Sequence, residues 1–348
     1  MSGYGSSYST EWRLLKMNED TWAPSDLVEG FKSAQINRDG TDECPLLESG
    51  TIVCDRPVGK DLEEGWYKIE ARASFGGTAL RLDVATLLLY STQSLTNRFS
   101  DAVTLKGSSV LKPAADRKML KGSYIPKGVD GAEYVHDLLT ESISAPVVVD
   151  GSFTIDDYVV LQAGTSYLKA AWLALDAAAW CMQIDGDGTV HICPKPSKPD
   201  LVLDNANAKL LQPSITRTVE YGSVPNFYYA DDGEQSAYSI NEDPYSPTST
   251  ISRHGRRVDV YDESPVRVNG ETLSAYTARK LEEQSTIVKT HSYNREYVPG
   301  IVPFSLVRGT MSSVGLEGDM RVMSQTLVCD KGIHITEKAG LEIVTWTA

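Results

Sequence analysis

The sequence lacks long apolar runs, since none approaches the ~20 consecutive apolar residues that a membrane-spanning helix needs. It also lacks a secretion signal, because residues 1–12 contain neither a basic region nor an apolar segment. We therefore expect no stable membrane insertion, and folding in a cytoplasm.

The sequence also lacks catalytic motifs: GxSxG, P-loop, GxGxxG, HExxH and CxxC patterns are all missing. Its five histidines are scattered without the local spacing of metal ligands. Adjacent acids occur at 63–64, 156–157 and 231–232. Glycosidase carboxylates instead face each other across a cleft at ~5–9 Å. We therefore predict no catalytic, cofactor-binding or metal site, and no enzymatic activity.

Basic charge is scarce, with 33 lysines and arginines against 47 acidic residues and a net charge of −14. Proteins that bind nucleic acid tightly use lysine and arginine side chains, which displace counterions from the phosphates. The excess of acidic residues therefore argues against a nucleic-acid-binding protein. The exception is residues 253–257, RHGRR. We interpret this short cluster as a solvated loop or an interface rim, because nucleic-acid patches are wider and interleaved with aromatics.

The most informative segment that is present, residues 165–194, reads as a helix followed by a β-hairpin. Thr165 is the expected N-cap. One apolar stripe recurs at helical spacing: Leu168, Ala171, Trp172, Leu175 and Ala179. We expect this stripe to pack on a sheet made by the hairpin and by a strand at 158–162.

The hairpin itself follows from two-residue alternation after Trp180, which places Met182, Ile184, Val190 and Ile192 on one face. Residues 185–188, DGDG, suit a type I turn followed by a left-handed glycine, with residues 185 and 189 paired. The same acids resemble the start of an EF-hand loop, but Val190 replaces its glycine and the closing glutamate is missing, so we reject a calcium site.

The cysteines are few and odd in number: Cys44, Cys54, Cys181, Cys193 and Cys329. An odd count without a secretion signal favours reduced thiols. The hairpin register places Cys181 opposite Cys193, with Gln183 and His191 on the same face. A disulfide there would contribute roughly 3 kcal/mol, and a zinc site would need a fourth ligand that the sequence does not place nearby. We favour buried free thiols and leave the other two open.

The residue pattern in the rest of the chain predicts β-rich units on both sides of an α/β insert. Strand-like runs lie at 12–17, 33–37, 51–55, 66–74 and 78–91 before a shift in character near Lys106. We interpret 86–90, TLLLY, as a strand covered on both faces. Residues 107–130 read as an extended connection. Asp130 and Glu133 form a predicted capping box that begins a helix ending at 139, and 146–149 is a predicted strand.

After a proline-rich segment at 194–199, the last third reads as β-rich again. Residues 239–252 read as a long polar connection and 271–284 as one helix. Turns at 330–332 and 338–340 would join the final three strands into a meander. We therefore predict four domains. These are an N-terminal β-barrel-like tube domain (1–107), an inserted α/β domain (108–200), a β-rich connecting domain ending in a helix (201–285) and a C-terminal β tube domain (286–348).

The sequence resembles the baseplate hub (tail tip) proteins of tailed bacteriophages and related contractile particles. The resemblance rests on AAWCMQIDGDGTVHICPKP at 178–196, VPNFYY at 224–229, NEDPYSPTSTISRHGRR at 241–257 and SYNREYVPGIVPFSLVRG at 292–309. It implies two tube-forming β-domains flanking the helix-and-hairpin insert. The implied assembly is a homotrimer that continues the tail tube and adapts it to the tip.

The same resemblance implies partners and a location. The neighbours would be tail tube and distal tail proteins, and a tip, spike or fibre protein. DNA would pass through the lumen without specific binding, in a virion tail baseplate assembled in the host bacterial cytoplasm. From the net charge of −14 we expect that lumen to be acidic. Two other functions stay open: a tail-associated cell-wall hydrolase, and a receptor- or glycan-binding tip module that uses Tyr228, Tyr229 and Tyr245 for stacking.

Overall fold

The structure is a computed structural model. It describes residues 10–41, 44–55, 62–75, 78–96, 101–156, 158–204, 215–219, 224–246, 248–249, 251, 255–263, 265 and 271–345. The predicted mainly β fold with an α/β insert is confirmed. The strands are β1 Thr10–Met17, β2 Pro24–Val28, β3 Phe31–Asp39, β4 Leu47–Asp55, β5 Gly65–Phe75, β6 Thr78–Thr96, β7 Asp101–Ser108, β8 Ser123–Ile125, β9 Val147–Val149, β10 Val159–Leu161, β11 Trp180–Ile184, β12 Val190–Pro194, β13 Leu201–Leu203, β14 Thr216–Val219, β15 Phe227–Asp231, β16 Ser236–Ile240, β17 Asp259–Asp262, β18 Thr286–Glu296, β19 Leu306–Met311, β20 Leu316–Cys329 and β21 Ile333–Thr345. The helices are α1 Lys112–Asp116, α2 Gly131–Thr140, α3 Tyr167–Asp176 and α4 Leu273–Gln284. None of these described helices is long and apolar enough to span a membrane.

One sheet of 13 strands contains strands from both ends of the chain. Its hydrogen-bonded order is β14-β18-β21-β20-β3-β4-β7-β6-β5-β1-β2, and β19 joins through β20 and carries β13. The N-terminal and C-terminal strands meet at the antiparallel pair β3 and β20, where Ile36 lies opposite Leu327. We call this pair the seam. The predicted tube-domain boundaries at 107 and 286 stay a prediction, but their strands share one continuous sheet.

The large sheet is covered on two sides near β6, as the TLLLY run predicts. Leu87 and Leu89 are buried in one hydrophobic cluster with Ile36, Ile52 and other side chains of the N-terminal strands. Leu88, which points the other way, packs against a second cluster formed mainly by the α/β insert. The insert therefore covers one face of the sheet.

The insert contains α1, α2, α3 and two small sheets. Its three-stranded sheet has the order β11-β12-β9, with β9 parallel to β12. The prediction that 158–162 pairs with the hairpin is wrong: β10 pairs with β8 instead. The interpretation of 107–130 as an extended connection is also wrong, because that segment contains the end of β7, α1 and β8, and Leu111 is fully buried.

The helices of the insert begin where side chains cap them. Asp130 accepts hydrogen bonds from the backbone N–H groups of residues 132 and 133, which confirms the predicted start of α2. For α3 the predicted N-cap was one residue early, since Ser166, not Thr165, accepts from the N–H of Lys169. The predicted stripe is buried up to Leu175, but Ala179 lies beyond the helix, exposed and at φ +57°.

The C-terminal third departs from the predictions in two places. The turn at 338–340 does not exist, because β21 runs through it and Gly340 pairs with both neighbouring strands. The connection at 239–252 begins in β16 and then buries Asn241, which donates to the hydroxyls of Ser246 and Thr248 at 3.0 and 2.8 Å. The turn after Asp330 and the helix α4 are confirmed.

Candidate assembly surfaces

The Cys181 and Cys193 face carries two neighbouring thiols on the hairpin β11–β12. The two Sγ atoms lie 3.8 Å apart as free thiols, and the predicted register that pairs them is confirmed. Cys181 is fully buried, whereas Cys193 is only half-buried. Their mutual hydrogen bond and burial raise the pKa of the Cys181 thiol. In the parts of the chain that the structure describes, no group of three or more metal-ligating side chains comes together.

The other polar candidates have structural partners or solvent around them. His191 lies between two carboxylates, with Nε2 3.1 Å from Asp185 and Nδ1 3.4 Å from Asp150. Glu63 and Glu64 are both exposed. Asp231 and Asp232 cap the β15–β16 turn by accepting from backbone N–H groups. Asp157, Arg253 and His254 lie outside the described residues.

The DGDG turn instead docks the insert onto the N-terminal strands. The Gly188 N–H donates to the Asp185 carbonyl and Gly188 has φ +89°, which confirms the predicted turn. The Thr86 hydroxyl donates to the Gly186 carbonyl at 3.0 Å, and the Trp22 indole N–H donates to the Asp187 carbonyl at 2.9 Å. The turn is thus held against β6 through its own backbone.

Trp172 joins the insert to both halves of the large sheet. Its indole N–H donates to the Pro45 carbonyl at 3.1 Å, in the loop before β4. Its ring lies 5.6 Å from that of Phe304, in the segment before β19. Close by, the Gln183 amide donates to the Pro303 carbonyl at 3.3 Å. Helix and hairpin therefore fix the N-terminal and C-terminal strands relative to each other.

Two buried ion pairs flank the seam. Arg38 on β3 donates to Glu48 on β4 at 2.6 Å, and both side chains are almost fully buried. On the other side of the seam, Arg295 donates to Glu337 at 2.5 Å, and neither side chain is exposed at all. Tyr293 and Gln325 also donate to the Glu337 carboxylate, at 2.7 Å each. Because a buried charge that loses its partner is costly, these pairs tie neighbouring strands into one register.

A second surface lies on the sheet β16-β15-β17, which α4 covers on one side. Tyr228 faces the helix, where its hydroxyl donates to Asp262 at 3.0 Å and its ring meets the Tyr276 ring edge-on. Tyr228 is 4% exposed and therefore cannot join a stacking surface with Tyr229 and Tyr245. Tyr245 is 92% exposed, in the loop after β16. The predicted glycan-binding set is not brought together.

The opposite side of that sheet carries four aromatic rings, which we call the aromatic face: Phe227, Tyr229, Tyr238 and Tyr261. Tyr229 is in register with both Tyr238 and Tyr261. The ring pairs Phe227–Tyr238 and Tyr229–Tyr261 stack with centroids 5.4 and 5.3 Å apart. The Arg257 guanidinium lies 4.2 Å above the Phe227 ring. The alternation in FYYAD at 227–231 predicts a strand with two different faces, but it does not indicate which face is exposed to solvent.

Comparison with known proteins gives a match in fold and none in sequence. No family model and no curated protein matches the chain. The tail protein from Neisseria meningitidis MC58 aligns over 97% of this chain and 97% of its own, with a TM-score of 0.63 at 13% identity. The 43 kDa tail protein of prophage MuSo2 from Shewanella oneidensis aligns over 95% of this chain and 98% of its own, with a TM-score of 0.60 at 12% identity.

A third similar structure is named as a complex of two proteins. A chain of the Francisella PdpA–VgrG complex aligns over 97% of this chain and 58% of its own, with a TM-score of 0.52 at 7% identity. The resemblance inferred from the sequence is therefore confirmed at the level of the fold. This chain has the fold of phage tail proteins.

Proposed function

We propose that the chain is a structural hub of a phage tail tip or baseplate, a homotrimer that joins the tail tube to the tip or spike and forms part of the DNA channel. The observation that carries the proposal is the single sheet shared by both ends of the chain, ending in the short strands β2 and β14. In the part of the chain that the structure describes, these two strands do not pair with each other. Three such sheets placed side by side would enclose a channel.

The partners follow from the similar structures. Two of them are named as tail proteins, which supports contact with tail tube and distal tail proteins in a virion. The third is a chain of a structure named as a PdpA–VgrG complex, which supports assembly of this chain with a further protein, for which we propose the tip or spike. We propose no enzymatic activity for this chain.

The charge suits a DNA channel. Three copies of −14 give −42, and an acidic lumen would repel DNA and let it slide without specific binding. A strongly basic lumen in the assembled particle would contradict this part of the proposal.

Mass in solution tests the assembly. For a chain of 38.1 kDa, light scattering behind size-exclusion chromatography is expected to give three times that mass, about 114 kDa. A chain that stays monomeric at high concentration and with tail tube added would contradict the hub.

A further inference from the structure

The aromatic face carries carboxylates at one end that have no cationic partner among the described residues. Asp231 accepts from the Tyr229 hydroxyl at 3.5 Å. Asp262 pairs with Ala230, so the next residue, Glu263, lies beside Asp231. Because side chains alternate along a strand, Glu263 points to the same side of the sheet as Tyr261. Neither acid forms an ion pair with a described cation. Tyrosine rings next to unpaired carboxylates form a surface that suits a lysine or arginine side chain.

The α/β insert exposes a surface of the opposite charge, residues 117–127, which we call the basic segment. Its sequence, RKMLKGSYIPK, has four cations and no acid in a chain of net charge −14. Arg117 pairs with Glu141. Lys118, Lys121 and Lys127 are exposed, and none forms an ion pair with a described carboxylate.

Apolar side chains accompany these lysines. Tyr124 of β8 lies directly across from Val160 of β10, and its ring meets that of Tyr158 with centroids 5.5 Å apart. All three side chains are more than half exposed, and Leu120 is 94% exposed. Exposed aromatic and apolar side chains with a charged rim are typical of a protein–protein contact.

We propose that the basic segment of one copy binds the aromatic face of the next copy, with its lysines against Asp231 and Glu263. Tyr124 of the segment and the neighbouring Tyr158 would then lie against the rings of the aromatic face. This inference rests on the proposed homotrimer and names its contact. The two surfaces pack on different hydrophobic clusters of the chain, one on the insert core and one on the core beneath α4. A contact between two different surfaces is head-to-tail, and three such contacts close a ring when each copy is rotated by a third of a turn.

The acidic character of the rest of the chain favours a second copy as the occupant. The chain that offers the lysines also offers the complementary carboxylates, and like charges elsewhere would discourage other orientations. Duplex DNA is the competing occupant of a basic segment.

Zero-length cross-linking tests the contact directly. Equal amounts of isotopically light and heavy full-length chain are mixed, treated with a carbodiimide and digested. The expected products are mixed-isotope peptides that join Lys118, Lys121 or Lys127 to Asp231 or Glu263. An oligomer whose mixed-isotope cross-links all lie elsewhere would overturn the contact and leave the proposed hub standing.

Charge reversal supplies the second measurement. Lys118→Glu with Lys121→Glu is expected to raise the concentration for half-assembly about tenfold or more, as is Asp231→Lys with Glu263→Lys. Combining all four changes should restore most of the assembly, and Lys331→Glu, an exposed lysine in the turn between β20 and β21, should change nothing.

Three further results would overturn the contact. If reversal leaves a wild-type trimer unchanged, the contact is wrong and the hub stands. If the wild type neither assembles nor cross-links, both proposals fail. If reversal in the basic segment abolishes binding of a DNA duplex without affecting assembly, the segment binds DNA instead.

Discussion

Replacing Gly186 with alanine should loosen the insert from the large sheet. A Cβ at this position would overlap the carbonyl group of Asp83 on β6 and would lie 3.0 Å from the Val84 nitrogen. These are backbone atoms and cannot rotate away, so the turn or the strand must move. The hydrogen bonds that Thr86 and Trp22 donate to the turn would then stretch or break.

The magnitude follows from these two effects. Overpacking against a rigid neighbour costs roughly 1–3 kcal/mol, and each lost hydrogen bond costs about 1 kcal/mol. Gly186→Ala should therefore lower the free energy of unfolding by about 3–5 kcal/mol. Because the Gly186 φ is not in the left-handed region, no backbone strain adds to this loss.

Guanidinium unfolding followed by tryptophan fluorescence measures this change. Gly332→Ala is the matched control, since a Cβ there meets nothing within 4 Å and the glycine has an ordinary φ. The control should stay within about 0.5 kcal/mol of the wild type. If Gly186→Ala were equally mild, the docking of the turn against β6 would be refuted.

Three further predictions concern the core and the seam. Trp172→Phe removes an indole hydrogen bond and part of a buried ring, so denaturant unfolding should show a loss of about 2 kcal/mol; an unchanged midpoint would contradict the bridging role. Glu337→Gln leaves the Arg295 charge buried and should cost about 3–5 kcal/mol, whereas Arg308→Gln, which breaks a solvent-exposed pair, should cost far less. Equal losses would contradict the role of burial. His291 is fully buried, and burial together with nearby cations lowers its pKa from the ordinary 6.5. The unfolded chain therefore takes up this proton at a higher pH than the folded chain, and the free energy of unfolding should fall as the pH drops below about 6.5. His291→Leu should weaken this loss in a pH series of melting temperatures, and an identical profile would contradict it.

Local chemistry allowed much of the insert to be predicted. The DGDG turn, the strict alternation around it and the Asp130 cap each depend on neighbours within a few residues, so the hairpin and α2 follow from the sequence. The turn predicted around Gly340 is wrong. Gly340 is a strand residue whose added Cβ would lie 2.8 Å from the Met323 sulfur, so glycine is there for close packing rather than for a turn.

Long-range pairing could not be predicted. Nothing in 31–39 indicates that β3 pairs with β20, nearly 300 residues later, and nothing in 147–149 indicates that it joins the hairpin in parallel. The chain offers many strands of similar pattern, and their order depends on packing across the whole fold. The predicted stacking of Tyr228, Tyr229 and Tyr245 is wrong because the sequence FYYAD at 227–231 does not indicate which tyrosine faces α4.

We propose above all that three copies of the 13-stranded sheet enclose a channel. A cryo-EM reconstruction of the purified oligomer tests it most directly. We predict a threefold ring whose lumen is lined by the large sheet, with the α/β insert on the outside. A particle without threefold symmetry, or one whose large sheet faces away from any central opening, would contradict the account.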